Sequence, residues 1–124
     1  MARYEHLPIY ASAYKLALLI ELQVHGFSRS HKYAVGADLR EISRIILRRI
    51  VRANAQHEGR IAELQELRLS AEELMVCLRL AKDVHAFSGI KAYEQAADLA
   101  LCVCRQTEGW LKGAQAKGMA GSPT

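Results

Sequence analysis

The residues with the clearest chemical pattern are arginines. Arg40, Arg44, Arg48 and Arg52 recur every fourth residue. On a helix turning about 100° per residue they spread over about 120°, as one slightly spiralling stripe. Each guanidinium can fork onto phosphate oxygens, and arginine stands here where lysine would serve for solubility alone. Such a stripe tracks a nucleic-acid backbone without reading its sequence. Residues 26–60 hold Arg29, Lys32, Arg40, Arg44, Arg48, Arg49, Arg52 and Arg60 against Asp38, Glu41 and Glu58. That local excess of five accounts for the whole net charge of +4. The alternative is structural: the arginines pair with Glu63, Glu66, Glu72 and Glu73 on the next helix, and the stripe binds nothing.

Other reactive side chains lack partners at useful spacing. Cys102 and Cys104 are two apart, so on a helix they point about 200° apart and cannot share a metal. Cys77 and Cys104 fall at apolar positions and read as small core hydrophobes. His25 and His31 flank a loop. No Glu is followed by His three residues later, which removes the bundle type of carboxylate metal centre. There is no Gly-rich phosphate loop and no nucleophile elbow. The expectation is a protein without catalytic residues, metal or cofactor.

Four helices must position the stripe. Pro occurs only at Pro8 and Pro123, so no strong helix breaker interrupts residues 9–122. Gly26, Gly59 and Gly89 punctuate the chain. The first helix starts at Pro8, whose missing N–H is not needed in a first turn. It carries Ile9, Ala13, Leu16, Ile20 and Val24 on one face and ends near Gly26. "FSRSHKY" reads as a polar loop. The second helix runs from about Val35 to His57, with Ile42, Ile46, Ile50 and Ala53 as its core face. Gly36 in its first turn weakens it slightly.

The third helix has the sharpest period. Leu64, Leu67, Ala71, Leu74, Leu78, Ala81 and His85 step alternately by three and four, a heptad seam suited to antiparallel neighbours. Ser88 is a plausible N-cap for the fourth helix, whose inner side carries Ala92, Ala96, Leu99, Val103 and Trp110. Gly113 should end it, leaving residues 114–124 as a flexible tail. The fold expected is all-α: an antiparallel up-down-up-down four-helix bundle over residues 1–113, as one domain.

These helices are too apolar for one seam. On the third helix Leu69, Val76, Leu80 and Val84 fall on a second face, roughly 160° from the first. A helix apolar on two faces is usually buried on two. The expected cover is another subunit. No apolar run approaches the ~20 residues of a membrane span. Three cysteines and an N-terminus without a clean apolar signal region point to the cytoplasm.

Four stretches together resemble a family. They are "YEHLPIYASAYKLAL", "HKYAVGADLREISRIILRRIVRAN", "EELMVCLRLAKDVHAF" and "YEQAADLALCVCRQTEGWLK". They are similar to the four-helix-bundle proteins related to the ribosomal RNA intervening-sequence protein. Within that group they look most like the accessory variability proteins of diversity-generating retroelements. The resemblance covers about residues 4–113, with "KYAVGADLR" and "TEGWLK" its most specific pieces. It implies a small basic homo-oligomer, a barrel-shaped pentamer in the retroelement branch. It also implies a nucleic-acid binder that partners a retroelement reverse transcriptase in error-prone copying of template RNA into cDNA. The positions it points to for RNA or polymerase contact are Arg40, Arg44, Arg48, Arg49 and Arg52. Arg29 and Lys32 extend the basic set. The intervening-sequence branch implies the same fold and no settled activity.

Overall fold

The computed structural model describes residues 3–121, with side chains to residue 118. Four long helices make the bundle: α1 (Pro8–His25), α3 (Val35–Ala55), α4 (Arg60–Asp83) and α5 (Ile90–Gly121). A 3-10 turn (Tyr4–His6) precedes them, and a one-turn helix, α2 (Arg29–Lys32), lies between α1 and α3. No strand occurs among the described residues. The architecture is the expected all-α four-helix bundle.

Pairs across each seam show that neighbours run antiparallel. Glu21 meets Arg40 and Arg44 between α1 and α3, Arg49 meets Glu63 between α3 and α4, and Arg68 meets Glu108 between α4 and α5. Gln23 Nε2 donates to the carbonyl of Ala92 at 2.7 Å between α1 and α5. The helices pack in the cyclic order α1–α3–α4–α5, so α1 sits diagonally across from α4, and α3 across from α5.

The periodic faces form the core. Ile9, Ala13, Leu16, Ile20 and Val24 are buried, as are Leu39, Ile42, Ile46, Ile50 and Ala53. Six of the seven heptad positions on α4, from Leu64 to Ala81, are buried too. His85 is not. α4 stops at Asp83, and His85 is exposed with a left-handed backbone, φ 61°. Its N–H reaches the carbonyl of Lys82 at 3.0 Å, and the N–H of Ala86 reaches that of Ala81 at 2.9 Å. These two hydrogen bonds to the last turn close the helix end. Periodicity alone cannot see it.

Four further expectations are corrected. "FSRSHKY" is not an open loop: Phe27 is buried, edge-on to Phe87 at 5.2 Å, and α2 follows it. Gly36 is not a weak spot. A Cβ there would lie 2.7 Å from Val24 Cγ1 and 3.1 Å from the carbonyl of His31, so only glycine lets α3 approach α1 this closely. On α5 the buried face is Ala96, Ala100, Val103, Thr107 and Leu111, while Ala92, Leu99 and Trp110 are half-buried. Thr107 is tolerated because its Oγ1 donates to the carbonyl of Val103 at 2.7 Å. Gly89, rather than Ser88, holds the α5 cap position, its carbonyl accepting the N–H of Tyr93 at 3.4 Å.

α5 also runs past Gly113 to Gly121. A single glycine costs about 1 kcal/mol in a helix interior, too little to stop one already formed. Ala114 packs against the core, and Gly118 lies beside Ile61 at the start of α4. Residues 122–124, the end of the expected tail, lie outside the described residues.

Candidate nucleic-acid interface

The apolar side of α3 is fixed in the core, which turns the opposite side outward. Arg44 and Arg48 point into solvent with about half of each side chain exposed, 54% and 55%. Arg52 is exposed and makes no ion pair among the described residues. Arg40 and Arg49, at the two margins of this face, are mostly covered. The five arginines of α3 therefore divide into three that point outward and two that lie in seams. Arg29 is exposed and Lys32 half-buried on α2, which packs against α3.

The partners differ from the expected row on the next helix. One carboxylate, Glu21 of α1, meets two guanidinia: Oε2 lies 3.2 Å from Arg40 Nε, and Oε1 accepts from Arg44 Nη2 at 2.8 Å. Arg48 Nη2 donates to Glu41 Oε1 on its own helix at 3.2 Å. Arg49 Nη1 donates to Glu63 Oε1 of α4 at 3.0 Å. Of the acids expected as partners, only Glu63 takes one of these arginines; Glu66, Glu72 and Glu73 take none among the described residues. Four guanidinia thus share three carboxylates, and Arg52 has none among the described residues. Arg60 has a separate duty: Nε and Nη2 donate to the carbonyls of Ala53 and Asn54, at 2.7 and 3.0 Å, closing the end of α3.

Beside the stripe lies an aromatic ladder that the sequence reading missed. The rings of Tyr4 and Tyr10 meet edge-on at 4.8 Å, and those of Tyr10 and Tyr14 stack at 5.9 Å. Tyr14 is 47% exposed. Tyr14 and Glu21 are seven residues apart on α1, two turns along one face. The Glu21 contacts with Arg40 and Arg44 set the antiparallel register, which brings Tyr14 level with the Arg48 part of α3. The available signal was the spacing of Tyr10, Tyr14 and Glu21.

The residues expected at a subunit contact are exposed apolar surface. Leu69, Val76 and Leu80 point outward from α4, with Val76 at 70% exposure. Val84 is exposed as well, but it sits in the turn after α4 and not on the helix face. A second exposed apolar ridge was missed: Leu18 and Leu22, one turn apart on α1, at 50% and 73%.

The cysteines lie apart. Cys102 Sγ is 3.7 Å from Ser12 Oγ on the α1 side, whereas Cys104 lies by Arg68 and Glu72 on the α4 side. Burial pushes the Cys104 thiol up, with smaller contributions from Glu72 and Glu108. Cys77 lies between α3 and α4, where burial first, then Asp38 and Glu73, push its thiol up to about 11. Among the described residues no three His, Cys, Asp or Glu side chains are grouped to hold a metal ion. No described helix is long and apolar enough to cross a membrane. Comparison with protein families and with curated proteins returns no significant match to the chain.

Proposed function

We propose that this bundle is a non-enzymatic nucleic-acid-binding subunit that works as a homo-oligomer in the cytoplasm. The family resemblance extends the reading. The partner is then a retroelement reverse transcriptase, and the task is to assist mutagenic cDNA synthesis from a template RNA. The observation that carries the binding part is the basic side of α3, where four arginines share Glu21, Glu41 and Glu63 and the exposed Arg52 makes no ion pair among the described residues.

Phosphates would enter at Arg44, Arg48 and Arg52. Exposed ion pairs contribute only about 0–1 kcal/mol, so Glu21 and Glu41 yield readily to a phosphate. Contacts of this kind position a strand and ignore its sequence. Tyr14 offers a flat partner for an unpaired base alongside.

The test replaces Arg44 and Arg48 together by Gln, which keeps helix propensity and removes two charges per subunit. Binding to a structured RNA is measured against salt, with assembly checked separately. Each lost phosphate contact should reduce the log–log salt slope by about 0.7 on single strands. Unchanged affinity and slope in the assembled variant would favour the second reading, a protein-interaction scaffold with structural arginines. The Arg49–Glu63 and Arg40–Glu21 pairs support that reading. A neighbouring reverse transcriptase gene with a template/variable repeat pair would favour the first.

A further inference from the structure

We infer that the groove between α3 and α4 docks another protein, by an amphipathic helix that sets lysines or arginines beside its apolar residues. The face and its occupant are both separate from the nucleic-acid reading, so neither depends on the other.

The groove has a volume of about 370 Å³ and an apolar floor of Ile45, Val76 and Leu80. Val76 is 70% exposed and Leu80 54%, so the floor lies open to water. These two stand one turn apart on α4, the spacing at which a helix laid in a groove inserts its own apolar side chains. Covering them supplies the apolar part of the attraction.

The rim decides what kind of helix fits. Asp38, Glu41 and Glu73 border the floor, and no lysine or arginine lines the groove. Glu41 already holds Arg48, whereas Asp38 and Glu73 make no ion pair among the described residues. The Arg49–Glu63 pair fixes the antiparallel register. Asp38 lies eleven residues before Arg49, and Glu73 ten after Glu63, so the two carboxylates stand level on opposite walls. After burial, the same two carboxylates push up the Cys77 thiol in the groove, so their fields meet there. Among the described residues no three His, Cys, Asp or Glu side chains are grouped to hold a metal ion. The acids call instead for separate cations spaced along a chain. Phosphates are repelled, and a purely apolar cover would leave Asp38 and Glu73 without partners. Apolar residues flanked by lysines or arginines answer both needs. The α1 ridge of a second copy is not such a cover, because Asp98 lies beside its Lys15.

The test titrates the full chain with a fluorescent synthetic helix whose leucines repeat one and two turns apart between arginines. A second helix has glutamine in place of every arginine. Anisotropy should show the arginine form bound about tenfold more tightly. Asp38→Asn and Glu73→Gln together should remove most of that preference, and Val76→Ser should weaken both forms about fivefold. Glu94→Gln with Asp98→Asn makes the same change of charge on α5 and should leave binding as it was. All five positions are exposed, and circular dichroism verifies the fold. An arginine helix that binds no better than its glutamine copy overturns the docking site. So do equal losses in the two double variants, which would mean a general attraction to acidic surface. A wild type that assembles and turns monomeric on Val76→Ser overturns it too, and gives the groove to a second copy. RNA binding, measured in parallel on Arg44→Gln with Arg48→Gln, tests the nucleic-acid reading on its own, so either can fail while the other stands.

Discussion

Arg49 and Glu63 meet across the α3–α4 seam, Nη1 3.0 Å from Oε1, with only 27% and 17% of their side chains exposed. Arg48, the next residue before Arg49, pairs with Glu41 at a similar distance but in open solvent, with 55% and 60% exposed. Neighbours in sequence therefore hold arginines of two kinds. One stabilises the bundle, and the other is free to exchange its partner.

The two kinds should separate in a stability measurement. Glu63→Gln leaves a mostly covered guanidinium without its counter-charge and should destabilise the fold by about 1–3 kcal/mol. Glu41→Gln should change stability by less than about 0.5 kcal/mol, as a surface pair does. Urea unfolding of both variants at equal subunit concentration reads the difference. Equal losses would put the two pairs in one class.

Glycines should also divide by what surrounds them. Gly36→Ala places a methyl group 2.7 Å from Val24 Cγ1 and close to a backbone carbonyl that cannot swing away. It should destabilise by about 1–3 kcal/mol although alanine is the better helix former. Gly113→Ala meets nothing within 4 Å and should stabilise by about 1 kcal/mol. Thermal melts should thus move in opposite directions. A stabilised Gly36→Ala would show that α1 and α3 can part without loss.

Cys77 should be slow to alkylate. With its thiol pushed up to about 11 by burial and then by Asp38 and Glu73, only about one part in a thousand is thiolate at pH 8. Its labelling rate, followed by mass spectrometry of the peptide, should climb steadily until about pH 11. The unfolded thiol ionises near 9.0, so between there and about 11 the native state binds more protons. Stability falls as pH rises through that window. Glu73→Gln should shift the labelling profile downward.

Tyr14 should matter for unpaired bases and not for duplexes. Tyr14→Leu keeps an apolar side chain on α1 while removing the stacking surface. Binding to an unstructured RNA oligomer should weaken about tenfold, within the range of one base–aromatic stack, with duplex binding unchanged. Equal losses on both would place the effect in packing around Tyr10.

Much of the fold was legible because its signal is local. The steps from Leu64 to Ala81 and from Ile9 to Val24 each define a buried stripe within one helix. What was not legible depends on residues distant in sequence. Glu21 lies far from Arg40 and Arg44 along the chain, and only the antiparallel register unites them. Gly36 looks like a helix flaw until Val24 is placed against it. His85 keeps the heptad spacing beyond the helix that carries it, and Gly113 resembles a stop that Ala114 overrides by packing. The arginine stripe was visible as spacing, but its division into covered and outward members required the neighbouring helices.

The two-armed grip of Glu21 on Arg40 and Arg44 bears on what length of ligand the α3 face would prefer. Its carboxylate already sits where an incoming anion would bind, as a built-in competitor. A lone phosphate arriving there only swaps one anion for another and gains little. A chain of phosphates displaces the Glu21 and Glu41 contacts together and frees its condensed counterions as it does so. The α3 face would then pass over mononucleotides and hold polymers.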